Sequence, residues 1–267
     1  MLPVAPPEHP PAVIVIPARY HSSRFPGKPL ALIAGRPMIE HVYRRAALAS
    51  GISQVIVATD DVRVASVVEG FGGQAMMTQS THPTGTDRLA EVAGRLWCAF
   101  VINVQGDEPL LDPGAIEEVL APLRADPTLQ MSSLRHRIVD PDEYHDPNVV
   151  KVVVDAEDRA LYFSRAPIPH VGRGAPLPAD AWRHIGLYAY RREFLPRFAA
   201  LPPTPLERQE RLEQLRALEH GYRLVVPETR HLAVGVDTPA DLARVEPLVA
   251  ALEAAEPVPS DHQDEKR

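Results

Sequence analysis

The sequence predicts an α/β protein built on a mostly parallel sheet, and three observations predict it. Through the first half, short β-branched runs alternate with stretches of helical period, the pattern of strands joined by crossover helices. The first run, Val13 to Ile16, carries no polar residue, as a strand buried on both faces requires. It stops at Pro17 and empties into a loop bearing Arg19, Arg24 and Lys28. A chain of 267 residues is long enough for one large domain with a core of its own.

Taken in order, strands are expected near 12–17, 54–59, 74–77 and 100–105, with helices near 37–50, 61–71, 86–98 and 113–124. In the second half, strands near 129–138, 150–154, 160–164 and 184–190 follow one another with little helix between, as antiparallel additions or an inserted arm would. The segment 166–181, APIPHVGRGAPLPADA, is rich in Pro and Gly and reads as a long loop. LERQERLEQLRALEHG is expected as one helix closed by Gly221. The last helix opens on Thr238 as N-cap, with Pro239 in its first turn and Asp241 three residues after the cap. Residues 1–11, with five prolines, and the polar 253–267 read as a flexible segment and a disordered tail around a single domain over 12–248.

A net charge of −7 argues against a general binder of nucleic acid or of membrane surfaces, so any phosphate site must be basic locally. The single Cys98 excludes an intramolecular disulfide; beside Leu96 and Trp97 it reads as a buried structural thiol in an apolar helix end. No charged-then-apolar leader or long apolar span is visible, which predicts a cytoplasmic protein without a membrane partner.

Ligands of open α/β sheets bind beyond the carboxyl ends of the strands, so the cations after the first strand point to phosphates. Lysine occurs only at 28, 151 and 266, and a lone Lys28 among arginines marks a place for a compact ammonium. Taken alone, such a loop is also an ordinary solvated surface. VINVQGDEPLL (101–111) ends a second buried strand at Gln105 and Gly106 and sets Asp107 and Glu108 at its edge, as cation ligands or as a solvated turn. HPTGTDRLAEV (82–92) starts a helix with Thr86 as the expected N-cap and Asp87 on the dipole. Capping leaves Arg88 unexplained, because a cation near a helix N-terminus needs an anion to offset it. VGVDTPADL (234–242) places Asp237 just before the last helix, where the dipole alone would favour it.

The loop from Pro17 to Leu30 resembles the signature PARxxSxRxPGKPL of the sugar-activating nucleotidyltransferases, specifically the 3-deoxy-manno-octulosonate cytidylyltransferases. Pro17, Ala18, Arg19, Ser22, Arg24, Pro26, Gly27, Lys28, Pro29 and Leu30 all match. Sialic-acid cytidylyltransferases open similarly but lack the PGKPL ending. The likeness runs in register from about 12 to 248, through QGDEP, YFSR, HxGxY, LEQLR and GVDT; in TGTDR, Thr84 stands where the family has Ser.

This resemblance implies a three-layer nucleotide-binding fold, nucleotide-diphospho-sugar transferase-like, around a mixed, mostly parallel sheet. A dimerisation extension at about 130–200 would make a homodimer. The implied reaction joins CTP to 3-deoxy-D-manno-octulosonate (Kdo), giving CMP-Kdo for lipopolysaccharide and pyrophosphate, with Mg²⁺ as cofactor. Carried over residue by residue, Asp107 and Asp237 become magnesium ligands and, with Arg19 and Lys28, the catalytic group. Pro17, Ala18, Arg19, Ser22, Lys28, Arg88 and Gln105 fall on the nucleotide side. Arg165, His184, Tyr188, Glu213 and Gln214 fall on Kdo, with Arg165 suited to its carboxylate. His184 and Tyr188 share a strand face by their even spacing, but periodicity alone makes them ordinary core residues. Two alternatives stay open: a close acid sugar such as the 8-amino analogue of Kdo, and a nucleotide-sugar sensor without turnover. Intact Asp107, Asp237 and Lys28 speak against the sensor.

Overall fold

The computed structural model of the chain describes residues 11–21, 25–172, 176–232 and 234–255. Its first half runs β1 (Ala12–Ala18), a 3₁₀ turn (Lys28–Leu30), β2 (Leu32–Ile33), β3 (Arg36–Pro37), α1 (Met38–Ala47), β4 (Ile52–Thr59), α2 (Val62–Gly70), β5 (Ala75–Met77), α3 (Gly85–Ala93), β6 (Phe100–Asn103) and α4 (Pro113–Ala125). The second half continues with β7 (Met131–Arg137), α5 (Pro141–His145), β8 (Lys151–Val154), β9 (Ala160–Ser164), β10 (Trp182–Arg191), α6 (Phe194–Ala200), α7 (Pro205–Glu210), α8 (Gln214–Glu219), β11 (Leu224–Val225) and α9 (Pro239–Ala255).

Strands follow the order β11-β7-β10-β6-β1-β4-β5, and along that path β10 alone runs against the rest. β8 and β9 form an antiparallel hairpin beside β10. The region expected as a dimerisation extension thus contains two strands of the main sheet, β7 and β10, together with this hairpin.

β1 is central, and its unbroken apolar run follows from burial on both faces. Ile14 and Ile16 join Ile39, Val42, Ile116 and Leu120 from α1 and α4, while Val13 and Val15 join Leu89, Val92 and Phe198 from α3 and α6. Successive strand residues point to opposite faces, so one run feeds two cores. Helices cover both faces, which makes three layers around a mixed, mostly parallel sheet.

Three local expectations need correction. α3 ends at Ala93, where Gly94 and an i→i+3 bond from Arg95 to Val92 tighten the last turn. Cys98 therefore lies after the helix; it is only partly buried, beside a Trp97 that is 92 % exposed, and burial pushes its thiol up to about 11. The expected helix from Leu206 to Gly221 is broken into α7 and α8, with Arg211 in the left-handed region at φ 57°. Glu207 bridges the break to Arg216 at 2.9 Å, and Leu212 and Leu215 turn into the core. Periodic charge favours one helix; tertiary burial favours two. Finally, Thr84 and not Thr86 caps α3, in a reciprocal box with Asp87. The Thr238–Asp241 box of the last helix and the positive φ of Gly221 after α8 stand as expected.

Candidate active site

β1 and β6 are parallel neighbours, so both empty at the same edge of the sheet. Their exits cross closely: a Cβ on Gly106 would lie 3.0 Å from the Pro17 carbonyl oxygen, which is why glycine precedes Asp107. The cationic loop is folded back at Gly27, whose φ is 74° and whose N–H donates to the Tyr20 carbonyl at 2.9 Å. That turn sets Lys28 at the head of the 3₁₀ turn. From far along the chain, the Val236 N–H donates to the Asp107 carbonyl at 2.9 Å and lays the segment before α9 against the QGD turn.

Three charged side chains meet there. Lys28 Nζ stands 2.5 Å from Asp107 Oδ2 and 3.0 Å from Asp237 Oδ1. Among the described residues no group of three or more His, Cys, Asp or Glu side chains forms a metal cluster. The protein itself would thus offer a cation two hard carboxylates, leaving other positions to water and phosphate oxygens, a donor set that fits Mg²⁺. Glu108 takes no part in that set. It is buried, and burial together with the neighbouring Asp107 charge pushes its carboxyl up to about 8.

Arg19 ties the β1 exit to the head of α3, its Nη2 donating to the carbonyls of His82 at 2.6 Å and Thr84 at 3.1 Å. Ala18 is buried in β1, and Ser22 and Arg24 lie outside the described residues. Arg88 is fully buried, 3.3 Å from Asp60 and bonded to the Thr78 hydroxyl. The anion that offsets this cation belongs to the protein: it is Asp60.

A cavity of about 210 Å³ opens beside this edge, lined among others by Pro17, Gln105, Tyr188, Glu213 and Gln214. Gln105 Nε2 donates to the Gly186 carbonyl at 3.1 Å, where the β10–β7 pairing is interrupted between Ile185 and Ala189. The break between α7 and α8 delivers Glu213 and Gln214 to the rim, and the Thr86 hydroxyl donates to Glu213 at 2.5 Å. Burial raises the Glu213 carboxyl and the Tyr188 phenol. His184 does not line the cavity. It backs Tyr188 at 5.3 Å between ring centroids, touches Ser133 Oγ at 2.8 Å, and burial holds it down at about 3, hence neutral at pH 7.

Arg165 is not brought to the cavity either. Its Nε donates to the Glu210 carbonyl at 2.9 Å and its Nη1 to the Pro147 carbonyl at 3.0 Å, while its backbone N–H donates to the Glu210 carboxylate. Sequence reasoning also passed over Lys151, fully buried with Nζ on the carbonyls of Asp146, Val149 and Arg165 at 2.8, 2.5 and 2.8 Å. The scarcity of lysine that singled out Lys28 applied equally to it: three acceptors converge on a point that a planar guanidinium does not fit.

Residues 13–225 match the cytidylyltransferase family. The chain is 59 % identical over 239 residues to a 3-deoxy-manno-octulosonate cytidylyltransferase of Syntrophotalea carbinolica, covering 87 % of this chain and 96 % of that one. To its counterpart in Geobacter metallireducens it is 54 % identical over 240 residues, with 86 % and 94 % covered. A solved structure of CMP:2-keto-3-deoxy-manno-octonic acid synthetase complexed with CTP superposes with a TM-score of 0.85 at 46 % identity, covering 91 % of this chain and 99 % of that one. The chain belongs to the cytidylyltransferases, and within them to the family of 3-deoxy-manno-octulosonate cytidylyltransferases.

Proposed function

We propose that the chain transfers CMP from CTP to Kdo, releasing pyrophosphate and making CMP-Kdo for lipopolysaccharide. The observation that carries this reading is the ammonium of Lys28 held between Asp107 and Asp237 beside the polar cavity. The names of the relatives and of the CTP-bound neighbour support it. The anomeric hydroxyl of Kdo attacks the α-phosphorus of CTP; the new P–O bond forms as the bond to pyrophosphate breaks, and the hydroxyl proton passes to solvent. No protein nucleophile is needed. Asp107 and Asp237 would hold Mg²⁺, which when bound neutralises phosphate oxygens and acidifies a nearby hydroxyl. Lys28 donates to the phosphates as a point charge, and Arg19 keeps the β1 exit against the α3 loop, so that positioning and charge supply most of the rate.

The same reading includes a cytoplasmic homodimer. No helix among the described residues is long and apolar enough to cross a membrane. Incubation with CTP, Mg²⁺ and a panel of acid sugars, followed by pyrophosphate detection, tests the function. Release should require CTP and be fastest with Kdo. Preference for the 8-amino analogue would move the substrate, and CTP binding without release would turn the protein into a sensor.

A further inference from the structure

The helix that brings Asp237 to Lys28 is fastened by a small core of its own. Val236, Val245 and Val249, just before and within α9, pack with Ile33 and Met38 from the segment that follows Lys28, and Leu110, shortly after Asp107, packs against them. The segments bearing the three charged residues thus meet in one apolar cluster, which shares no residue with the two cores on the faces of the sheet. The end of α9 remote from Asp237 is clasped to the β2–β3 turn. Glu246 accepts the N–H of Ala34 at 3.1 Å, and Glu253 stands 2.6 Å from Arg36 Nη1 and 3.3 Å from Nδ1 of the buried His41. His41 in turn donates from Nε2 to the Ile33 carbonyl at 2.8 Å, so the clasp reaches into the same cluster.

Of the 17 residues of α9 only Val245 and Val249 are buried. A helix held by so few buried side chains opens at lower cost than the sheet beneath it, so each remaining tie carries weight. We propose that Val249 and Glu253 are positioning residues for the transfer: docked through them, α9 holds Asp237 beside Lys28 and Asp107, and undocking takes that acid out of the site without unfolding the sheet. Neither residue touches the reacting atoms, for Glu253 lies near the far end of a helix about 25 Å long. Lys28 and Asp107 stay in place on undocking, because their segments continue directly from β1 and β6. The inference rests on the function proposed above and adds to it the element that completes the site.

The test compares Val249→Ala and Glu253→Ala with the native chain, each alone and each combined with Asp237→Asn. Hydrogen exchange, read without metal or substrate, should show the amides of 236–255 exchanging ahead of those in β1 and β6, and faster in both variants than in the native chain. Alone, each variant should lower kcat about fivefold while KM for Kdo stays within about twofold, the mark of lost positioning rather than lost binding. Added to Asp237→Asn, each should cost nothing more, because the acid through which it acts has already lost its charge. A loss that persists in full in that background, an unchanged kcat in the single variants, or α9 amides that exchange only together with the sheet would each overturn the inference and leave the function standing. If the native chain releases no pyrophosphate from CTP and Kdo, it is the proposed function that fails, and the exchange data alone then judge the docking of α9. Should Val249→Ala not fold, Glu253→Ala, which removes no buried apolar group, is read in the same way.

Discussion

Lys28 and Asp237 are 209 residues apart along the chain and 3.0 Å apart in space, with Asp107 on the other side of the same ammonium at 2.5 Å. Two backbone features make the meeting: the close crossing at Gly106 and the bond from Val236 N–H to the Asp107 carbonyl. An ammonium placed between two carboxylates occupies the kind of position in which a divalent cation would be held, and four predictions bear on the two acids, on Lys28, on Arg165 and on His184.

Asn at Asp107 or at Asp237 keeps size and removes charge. We expect kcat to fall about 10²-fold or more, the scale of losing a charge stabiliser of the transition state, with folding intact by circular dichroism. Rates titrated with Mg²⁺ decide the role. An unchanged Mg²⁺ dependence in Asp237→Asn would leave that residue as a helix-dipole anion and nothing more.

Lys28→Arg keeps the charge but spreads it over a planar head too large for the gap between the two acids. It should lose much of the activity, and Lys28→Ala more, read as kcat/KM for CTP at saturating Mg²⁺ and Kdo. An arginine variant within about twofold of native, a difference of about 0.4 kcal/mol, would mean that any positive charge suffices.

Arg165 is engaged with Glu210 and with the 147 carbonyl, so its removal should act on the fold. Arg165→Ala and Glu210→Ala should each lower stability by about 1–3 kcal/mol, and the double variant by less than their sum. Urea unfolding of the three variants measures this. A selective rise in KM for Kdo with stability unchanged would instead place Arg165 on the sugar carboxylate.

His184 is held neutral by burial, at about 3 against an ordinary value of 6.5. The unfolded chain therefore binds a proton below about pH 6.5 that the folded chain refuses, and the stability from this group, present above that pH, is lost as pH falls toward 3. The stability difference between native protein and His184→Gln should shrink by up to about 1.4 kcal/mol per pH unit between about pH 6 and 4. Parallel pH profiles for the two proteins would show that the imidazole is not protected.

Much of this was legible locally. The apolar run Val13 to Ile16 identified the central strand because only a strand covered on both faces lacks polar positions. The Thr238–Asp241 box was readable because its partners are three residues apart. The site strings stood at strand exits, and the structure gathers Lys28, Asp107 and Asp237 at one of them and Gln105, Tyr188, Glu213 and Gln214 around one cavity.

By itself, then, the sequence determined which residues sit at the carboxyl ends of the strands and which segments form the two cores, since both follow from alternation over a few residues. Only the tertiary structure decided who faces whom. It supplied Asp60 as the anion for Arg88, engaged Arg165 with backbone carbonyls, broke the 206–221 helix at Arg211 to bring Glu213 to the cavity, and set Asp237 beside Asp107. Each outcome depends on a contact between segments far apart in sequence, and the period of a strand or helix carries no record of such a partner.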